Sequence, residues 1–461
     1  MQSKIRRHQW DWAVLAALVL LVASLLLGGG NRLHELRLAL AELSALPLLV
    51  LSVFAIGRQQ AWKVHPFAFG LLLALAGLPL LQLIPLPPQI WQSLPGREPM
   101  AHILEIAGIA PSWGTLSLTP DKTWRSFLAL IPPVAMFAGA LLCEPADRRR
   151  LIIVLLCGVA ASIGLGALQV AGDSARFYLW PTTTIGTVVG FFANRNHFAT
   201  LCLVALPFAA VLGAAVVRQR NANRTVMWAS AILITLIIIA LGAIRSRAGV
   251  IILAPTLILS FIAAWMASGR GRPRPILLAG AGGALLAMTA VAVFALTPLL
   301  ARFDTAGVRE GRFENWPIVA EAANTYLPLG SGLGSFDSVY RSVEPTERLD
   351  NTFFNQAHND YLESWLETGW LGAAFLIAFL IWYGRRTLAA WRGGVSTERD
   401  LQRASSIAIG VVLIHSAADY PLRTVAVAVV FALCAAILEL AAKSSSDRSG
   451  QAASTDRRAS R

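Results

Sequence analysis

One histidine stands where a long polar loop meets an apolar run of the chain. His358 lies in Asn355-Gln-Ala-His-Asn-Asp-Tyr-Leu-Glu363, and the apolar run follows from about residue 370. An imidazole ring ionises near neutral pH, so it suits proton transfer to or from a hydroxyl group. The simpler interpretation is a histidine that only caps a helix start, and the sequence leaves both interpretations open.

Two arginines form most of a short connection between two other apolar runs. The whole connection is Arg245-Ser-Arg247-Ala-Gly249, so both arginines must lie at the ends of those runs. A pair of guanidinium groups there suits a phosphate or diphosphate, which it can hold through parallel hydrogen bonds. The alternative is that both side chains only extend from the helix ends toward water.

A further arginine lies in the long polar loop. Arg312 belongs to Arg309-Glu-Gly-Arg-Phe-Glu-Asn-Trp316, just ahead of a predicted short helix over 314–326, where apolar residues recur on one face. Most loop arginines are solvated surface charges. The neighbouring Trp316 favours a packed position for Arg312 over a fully solvated one.

Another polar segment opens an apolar run. In Gly190-Phe-Phe-Ala-Asn-Arg-Asn-His-Phe-Ala199, the side chains of Asn194 and Asn196 could cap the helix that follows. Arg195 and His197 add a further pair of cationic or titratable groups. Helix capping and ligand binding are both open here.

We expect no metal ion and no cofactor. The chain has no His-Glu-x-x-His motif and no cluster of ligands beside His358, and no motif supports a nucleophilic serine or cysteine. The four cysteines have no paired spacing and are interpreted as small apolar residues. The glycines at 330–334 match no nucleotide-binding fingerprint.

The elements that must position these residues are membrane helices. Hydrophobic residues make up 56% and charged residues 14% of 461 positions, which excludes a soluble globular protein. About 20 apolar residues cross a bilayer as a helix, and the sequence predicts an all-α integral membrane protein with about twelve spans. The candidate spans are 12–28, 38–56, 67–86, 124–142, 151–171, 197–217, 226–244, 248–267, 276–297, 370–384, 405–420 and 422–442. The last two are only thinly separated and could form a hairpin or a kinked pair.

The net charge of +13 is explained by the orientation of the chain in the membrane and does not indicate nucleic-acid binding. With a cytoplasmic N-terminus and alternating sides, every predicted inner segment carries arginine or lysine, as the positive-inside rule requires. The C-terminus is then also cytoplasmic, and the polar sites above lie on the outer side of the membrane.

Two outer segments exceed ordinary loop length. The first, 87–123, contains a mildly amphipathic stretch at 100–110 that is predicted to lie on the membrane surface. The second, 298–369, is acidic and rich in aromatic residues, which favours a folded cap over a disordered loop. We therefore divide the chain into helices 1–9 over 1–297, a large periplasmic loop over 298–369, helices 10–12 over 370–442 and a disordered tail over 443–461.

Taken together, these segments resemble the O-antigen ligase and polymerase superfamily. Its members include O-antigen ligases, O-antigen polymerases and pilin-type oligosaccharyltransferases. The resemblance covers most of 190–440 and rests on Phe192-Ala-Asn-Arg-Asn-His-Phe-Ala199, Ser246-Arg-Ala-Gly249, Gly311-Arg312 with Trp316, Pro328-Leu-Gly-Ser-Gly-Leu-Gly334, and His358-Asn-Asp-Tyr-Leu-Glu363 with Glu367-Thr-Gly369. The last run is the most specific of them.

The resemblance implies a GT-C-like, inverting, metal-independent glycosyltransferase. Its donor would be an undecaprenyl-diphosphate-linked glycan, and its acceptor a sugar hydroxyl of lipid A-core or of a growing polysaccharide. Arg247 and Arg312 would hold the diphosphate, and His358 would orient or deprotonate the acceptor. We further expect the substrate-binding residues to be Arg245, Arg195, Asn196, His197 and Glu363. The competing classes are a polytopic polysaccharide transporter or flippase and a non-catalytic scaffold for polysaccharide export.

Overall fold

The computed structural model describes residues 2–30, 35–171, 174–180, 185–218, 224–269, 282, 311–348 and 354–440. Within these ranges the side chains of 2–11, 174, 175, 311, 312 and 348 are not described. Three predicted segments thus lie outside the described residues: the span 276–297 apart from residue 282, the start of the large loop, and the C-terminal tail.

The described chain is almost entirely helical, and its β-structure is one two-residue pairing. The helices are α1 (Gln2–Leu27), α2 (Glu35–Leu43), α3 (Leu46–Gln59), α4 (Ala61–Val64), α5 (Pro66–Gln82), α6 (Pro88–Trp91), α7 (Glu98–Ile106), α8 (Pro120–Ala129), α9 (Ile131–Leu142), α10 (Pro145–Ala171), α11 (Arg195–Val217), α12 (Arg224–Ile244), α13 (Arg247–Ala267), α14 (Gly311–Thr325), α15 (Phe336–Val343), α16 (Asp360–Arg392), α17 (Thr397–His415) and α18 (Val425–Glu439). Strands β1 (Pro85–Leu86) and β2 (Gly114–Thr115) pair antiparallel.

Several of these helices are long and apolar enough to cross a bilayer. In the described residues the candidate spans are Glu35–Gln59, Pro120–Leu142, Pro145–Ala171, Arg195–Val217, Arg224–Ile244, Arg247–Ala267 and Asp360–Arg392, with shorter apolar helices at Trp12–Leu27, Pro66–Gln82 and Val425–Glu439. A mostly helical membrane protein is therefore confirmed, whereas the number twelve stays a prediction. The last predicted pair is resolved into two helices, α17 and α18, joined by a short 3₁₀ turn at Pro421–Arg423.

Helix α11 is the central element of the bundle. Apolar and small side chains are buried along nearly its whole length, and α12, α13 and α17 pack around it. A helix that is apolar on all sides has no face for water and is therefore enclosed by its neighbours. Helix α18 packs on α9 and α17 beside this centre.

The bundle has two chemically different ends. At one end, Arg218 of α11 donates hydrogen bonds to the Ala267 carbonyl oxygen and to Asp400, at 2.9 and 3.1 Å, which joins α11, α13 and α17. Glu439 of α18 accepts from His65 at the same end. We call this the basic end because it also holds Arg58, Lys63, Arg148, Arg149, Arg150, Arg224, Arg385, Arg386, Arg392, Arg399 and Arg403.

At the opposite end, the large loop is joined to the bundle by a glycine-rich turn. The backbone N–H of Ser331 donates to the Leu366 carbonyl oxygen at 3.0 Å, and that of Gly332 to the Glu367 carbonyl oxygen at 2.9 Å. The Glu367 carboxylate accepts from the Gly334 N–H at 2.8 Å. Gly330, Gly332 and Gly334 all have positive φ, which explains why the turn needs glycine. We call this the site end.

Helix α16 is interrupted where it meets this turn. Gly369 has φ +53° and ψ −140°, and it divides α16 into a short cap over 360–368 and a long apolar part that follows. The N–H of Trp370 donates to the Pro328 carbonyl oxygen at 2.9 Å, so the interruption lies directly against the turn. The predicted span at 370 begins at this interruption.

We predict that Gly369→Ala destabilises the protein by about 1–3 kcal/mol, because its backbone conformation is nearly restricted to glycine. A Cβ atom would also lie 2.3 Å from the Pro328 carbonyl oxygen. The measurement is thermal unfolding of the purified protein in detergent. Gly384→Ala is the matched control, since nothing lies within 4 Å of its Cβ position in the same helix. Equal stability of the two variants would contradict the assigned strain.

Candidate functional site at the end of the bundle

His358 is held in an unusual backbone conformation directly before α16. Asn359 is the N-cap residue, and its side-chain oxygen accepts from the N–H groups of Tyr361 and Leu362, both at 3.1 Å. His358 itself has φ +51°, which is strained for a residue with a Cβ atom. Such strain persists only where the surroundings fix it, and it is concentrated at functional sites.

The surroundings fix this backbone through the preceding residue, Ala357. The Ala357 N–H donates to the Glu363 carboxylate at 2.8 Å, and its carbonyl oxygen accepts from the Trp316 ring N–H at 2.8 Å. One bond comes from the first turns of α16 and the other from α14 of the large loop. His358 is therefore positioned jointly by a bundle helix and by the loop.

The ring of His358 is oriented by Asp419. Its Nδ1 atom lies 3.1 Å from Asp419 Oδ1, and the carboxylate is 1% exposed. When Nδ1–H donates to a carboxylate, Nε2 of the neutral ring carries a lone pair and can accept a proton. The His358 side chain is 16% exposed, so it is accessible from one side only.

Asp419 also connects His358 to the start of α11. The Asn196 side-chain amide donates to Asp419 Oδ2, and the Tyr420 N–H donates to Oδ1 at 3.0 Å. The Tyr420 ring lies between two imidazoles, with its centroid 4.9 Å from both His358 and His197. The predicted residues Asn196 and His197 thus meet His358 through the 419–420 turn.

The two arginines of the short connection lie at the same end. Ser246 is the N-cap residue of α13 and accepts from the Gly249 N–H at 3.1 Å. Gly249 packs against Ala199, one turn into α11, since a Cβ atom at Gly249 would lie 3.0 Å from that of Ala199. Arg247 therefore begins α13 beside the start of α11 and is half-buried. Arg245 is exposed with φ +55°, and Arg195, the first residue of α11, is half-buried.

The side chain of Arg312 lies outside the described residues. Its backbone belongs to the first turn of α14, one turn before Trp316 on the same helix face. Because the Trp316 ring reaches Ala357, residue 312 is on the part of α14 that is next to the His358 backbone.

Glu363 has an interior role instead of the exposed position that substrate binding would need. Its side chain is fully buried, with one oxygen accepting from Ala357 and the other 3.3 Å from Arg423. The expectation that Glu363 binds substrate is therefore replaced by a positioning role, because both of its oxygens face the protein.

Arg423 is the centre of a charged cluster that the sequence did not reveal. Its guanidinium lies 2.8 Å from Glu367 and 3.3 Å from Glu363, with Asp360 at 3.8 Å. The three carboxylates recur on one face of α16. Burial lowers the pKa of Arg423, but the carboxylates raise it by more, so the guanidinium stays charged.

In the sequence, Asp419-Tyr-Pro-Leu-Arg423 is only a thin separator between two predicted spans. A signal was present, since an aspartate and an arginine occupy a five-residue joint between long apolar runs. Charges in such positions are costly and mark functional or paired groups. Their partners, however, lie about 60 residues away in the chain and become visible only in the fold.

A known protein family matches this part of the chain. Residues 231–377 match the family model described as O-antigen ligase. The match supports the predicted superfamily. It spans Arg245, Arg247, Arg312, His358 and Glu363, while Arg195–His197 and Asp419–Arg423 lie outside it. No curated protein matches the chain with significance.

We predict that Arg423→Met destabilises the protein by about 3–5 kcal/mol, because it leaves buried carboxylates without their counter-charge. The free energy of unfolding in detergent, from denaturant titration, is the measurement. Arg58→Met, at an exposed position of the basic end, is the matched control and should change stability by less than about 1 kcal/mol. Similar losses in both variants would show that Arg423 has no special structural role.

Proposed function

We propose that the protein transfers a glycan from an undecaprenyl-diphosphate carrier to an acceptor sugar hydroxyl, as an O-antigen ligase or polymerase. The observation that carries the proposal is the dyad of His358 and Asp419. It lies at the end of the bundle where the two arginines of the family segment begin α13. An oriented base and cationic groups at one site are what this transfer requires.

The reaction is a single displacement at the anomeric carbon of the donor. The acceptor oxygen forms the new bond to that carbon, and the bond to the diphosphate breaks with its electron pair going to the leaving group. Nε2 of His358 takes the acceptor proton, and Asp419 stabilises the imidazolium that results. Attack from the face opposite the leaving group inverts the anomeric configuration.

Arginines supply the charge that stabilises the leaving diphosphate. Arg247 and Arg312 are assigned to the diphosphate by the family resemblance, with Arg245 and Arg195 at the rim of the same end. Fixed cationic groups stabilise developing negative charge most effectively where water is excluded. In this proposal they take the place of a divalent metal ion, so transfer should continue in the presence of EDTA.

The distribution of basic residues supports a periplasmic site in the bacterial inner membrane. Arginine and lysine collect at the end of the bundle opposite His358, and the positive-inside rule puts such an end in the cytoplasm. Both termini are then cytoplasmic, and the large loop faces the periplasm. Lipid A-core and a growing polysaccharide remain the two candidate acceptors. The transporter and scaffold classes lose support, since the family match describes a ligase.

We predict that His358→Ala, Arg247→Ala and Arg312→Ala each lower glycan transfer by about 10²–10³-fold, since each removes one group that acts in the transition state. The assay uses the purified protein with undecaprenyl-diphosphate-linked glycan and acceptor in detergent, where transport has no meaning. Arg176→Ala, an exposed arginine at the same end, is the control and should retain activity. Normal product from His358→Ala would remove it from the mechanism.

We predict that Asp419→Asn lowers kcat by about 10²-fold or more, since an amide no longer fixes the Nδ1–H tautomer or stabilises the imidazolium. The KM for the donor should change less than kcat, because Asp419 holds the imidazole that acts on the acceptor hydroxyl. Asp337→Asn is the control, as that carboxylate of the large loop pairs with Lys122 of α8. An Asp419→Asn variant with a raised KM for the donor and an unchanged kcat would contradict the role of Asp419 in positioning His358.

A further inference from the structure

The chain between α5 and α8 leaves the bundle and presents an unusual helix. In α7 the apolar residues Met100, Ile103 and Ile106 are 46%, 64% and 74% exposed. Ile109 and Trp113, which follow the helix, are also exposed. A helix of nine residues thus turns its apolar face away from the protein.

The polar face of α7 is turned the other way. Glu98, His102 and Glu105 share one side of the helix. They line a cleft together with Gln92 and Pro111, which belong to the same segment between α5 and α8. A surface helix in water buries its apolar face and exposes its polar face. In α7 neither side is covered, since the His102 and Glu105 side chains are also 70% and 82% exposed. The apolar side of a helix that stands off the protein in this way is suited to an apolar surrounding and not to water.

The segment is fixed to the rest of the site end. Arg97, at the start of α7, donates to the Leu116 carbonyl oxygen, and its guanidinium lies 5.7 Å from the centroid of the Tyr326 ring. Trp91 donates to the Ser112 carbonyl oxygen at 2.9 Å. Since Tyr326 follows α14, the exposed helix is linked to the helix that also holds Ala357.

The membrane helices before and after this segment show where it lies relative to the membrane. It starts after Gln82, the last residue of apolar helix α5, and returns at Pro120, where the candidate span Pro120–Leu142 begins. The Ser117 N–H donates to the Gln82 carbonyl oxygen at 3.0 Å, so the two ends of this segment lie side by side. Both ends therefore lie at one edge of the membrane, where tryptophans such as Trp113 are enriched.

We propose that the apolar face of α7 inserts into the surface of the lipid bilayer at the site end and holds that end at the level of the lipid headgroups. The exposed part of α7 carries carboxylates and no lysine or arginine, so insertion depends on apolar contact and not on attraction to anionic lipids. The inference does not depend on the proposed transfer reaction.

The test uses the full chain in nanodiscs with a fluorescent NBD group on Ile106→Cys. Glu105→Cys on the polar face is the matched control, and both are made in a Cys157→Ser background because the other three cysteines are buried. We expect blue-shifted emission from position 106 and its quenching by lipids with a doxyl group near the headgroup. Position 105 should show neither, and adding phosphatidylglycerol should change neither result.

Two outcomes would overturn the proposal. One is an NBD group at 106 that is as water-exposed as that at 105 in lipid nanodiscs. The other is shielding of 106 in native membranes but not in nanodiscs, which would assign the face to a protein partner. Both readouts need no turnover, so a failed transfer assay leaves them unaffected.

Discussion

The site end depends on the neutralisation of charges that are shielded from water. Arg423 is surrounded by carboxylates of α16, and an ion pair out of water is stable only when its remaining lone pairs are also hydrogen-bonded. Here those remaining bonds go to the backbone. Glu363 accepts from Ala357, and Glu367 accepts from the glycine-rich turn at Gly334. The same cluster therefore fixes both the backbone before His358 and the junction between loop and bundle.

This arrangement divides the charged residues into two groups with different tasks. The carboxylates of α16 are used internally and face one guanidinium, so they contribute position and not recognition. Asp419 belongs to a second, separate contact, in which it orients the imidazole of His358. The arginines at Arg245 and Arg247 begin or precede a helix at the rim of the same end. The structural charges and these two arginines therefore belong to different parts of the site end.

Much of this site was predictable from local sequence, because rare polar residues in an apolar chain are conspicuous. His358 and Arg247 were found in that way, and so was the helix after Arg312. The roles of Asp419 and Arg423 were missed because the residues that they contact lie about 60 positions earlier in the chain. Glu363 was expected to bind substrate, whereas its side chain is buried and accepts from the Ala357 N–H, a contact that exists only in the folded helix start. The number of spans also stayed open, since apolar length alone does not separate a span from a buried helix.

The position of His358 outside α16 has a physical consequence for its chemistry. Inside the helix, its direction would be set by α16 alone. With φ +51° before the N-cap, the direction is set by Trp316 on the loop, by Glu363 on α16 and by Asp419 on the turn before α18. Three separate elements must be in place before the ring is aligned. The large loop therefore helps to position this ring, and a change in the docking of the loop would alter the alignment of the imidazole before it altered the fold of the bundle.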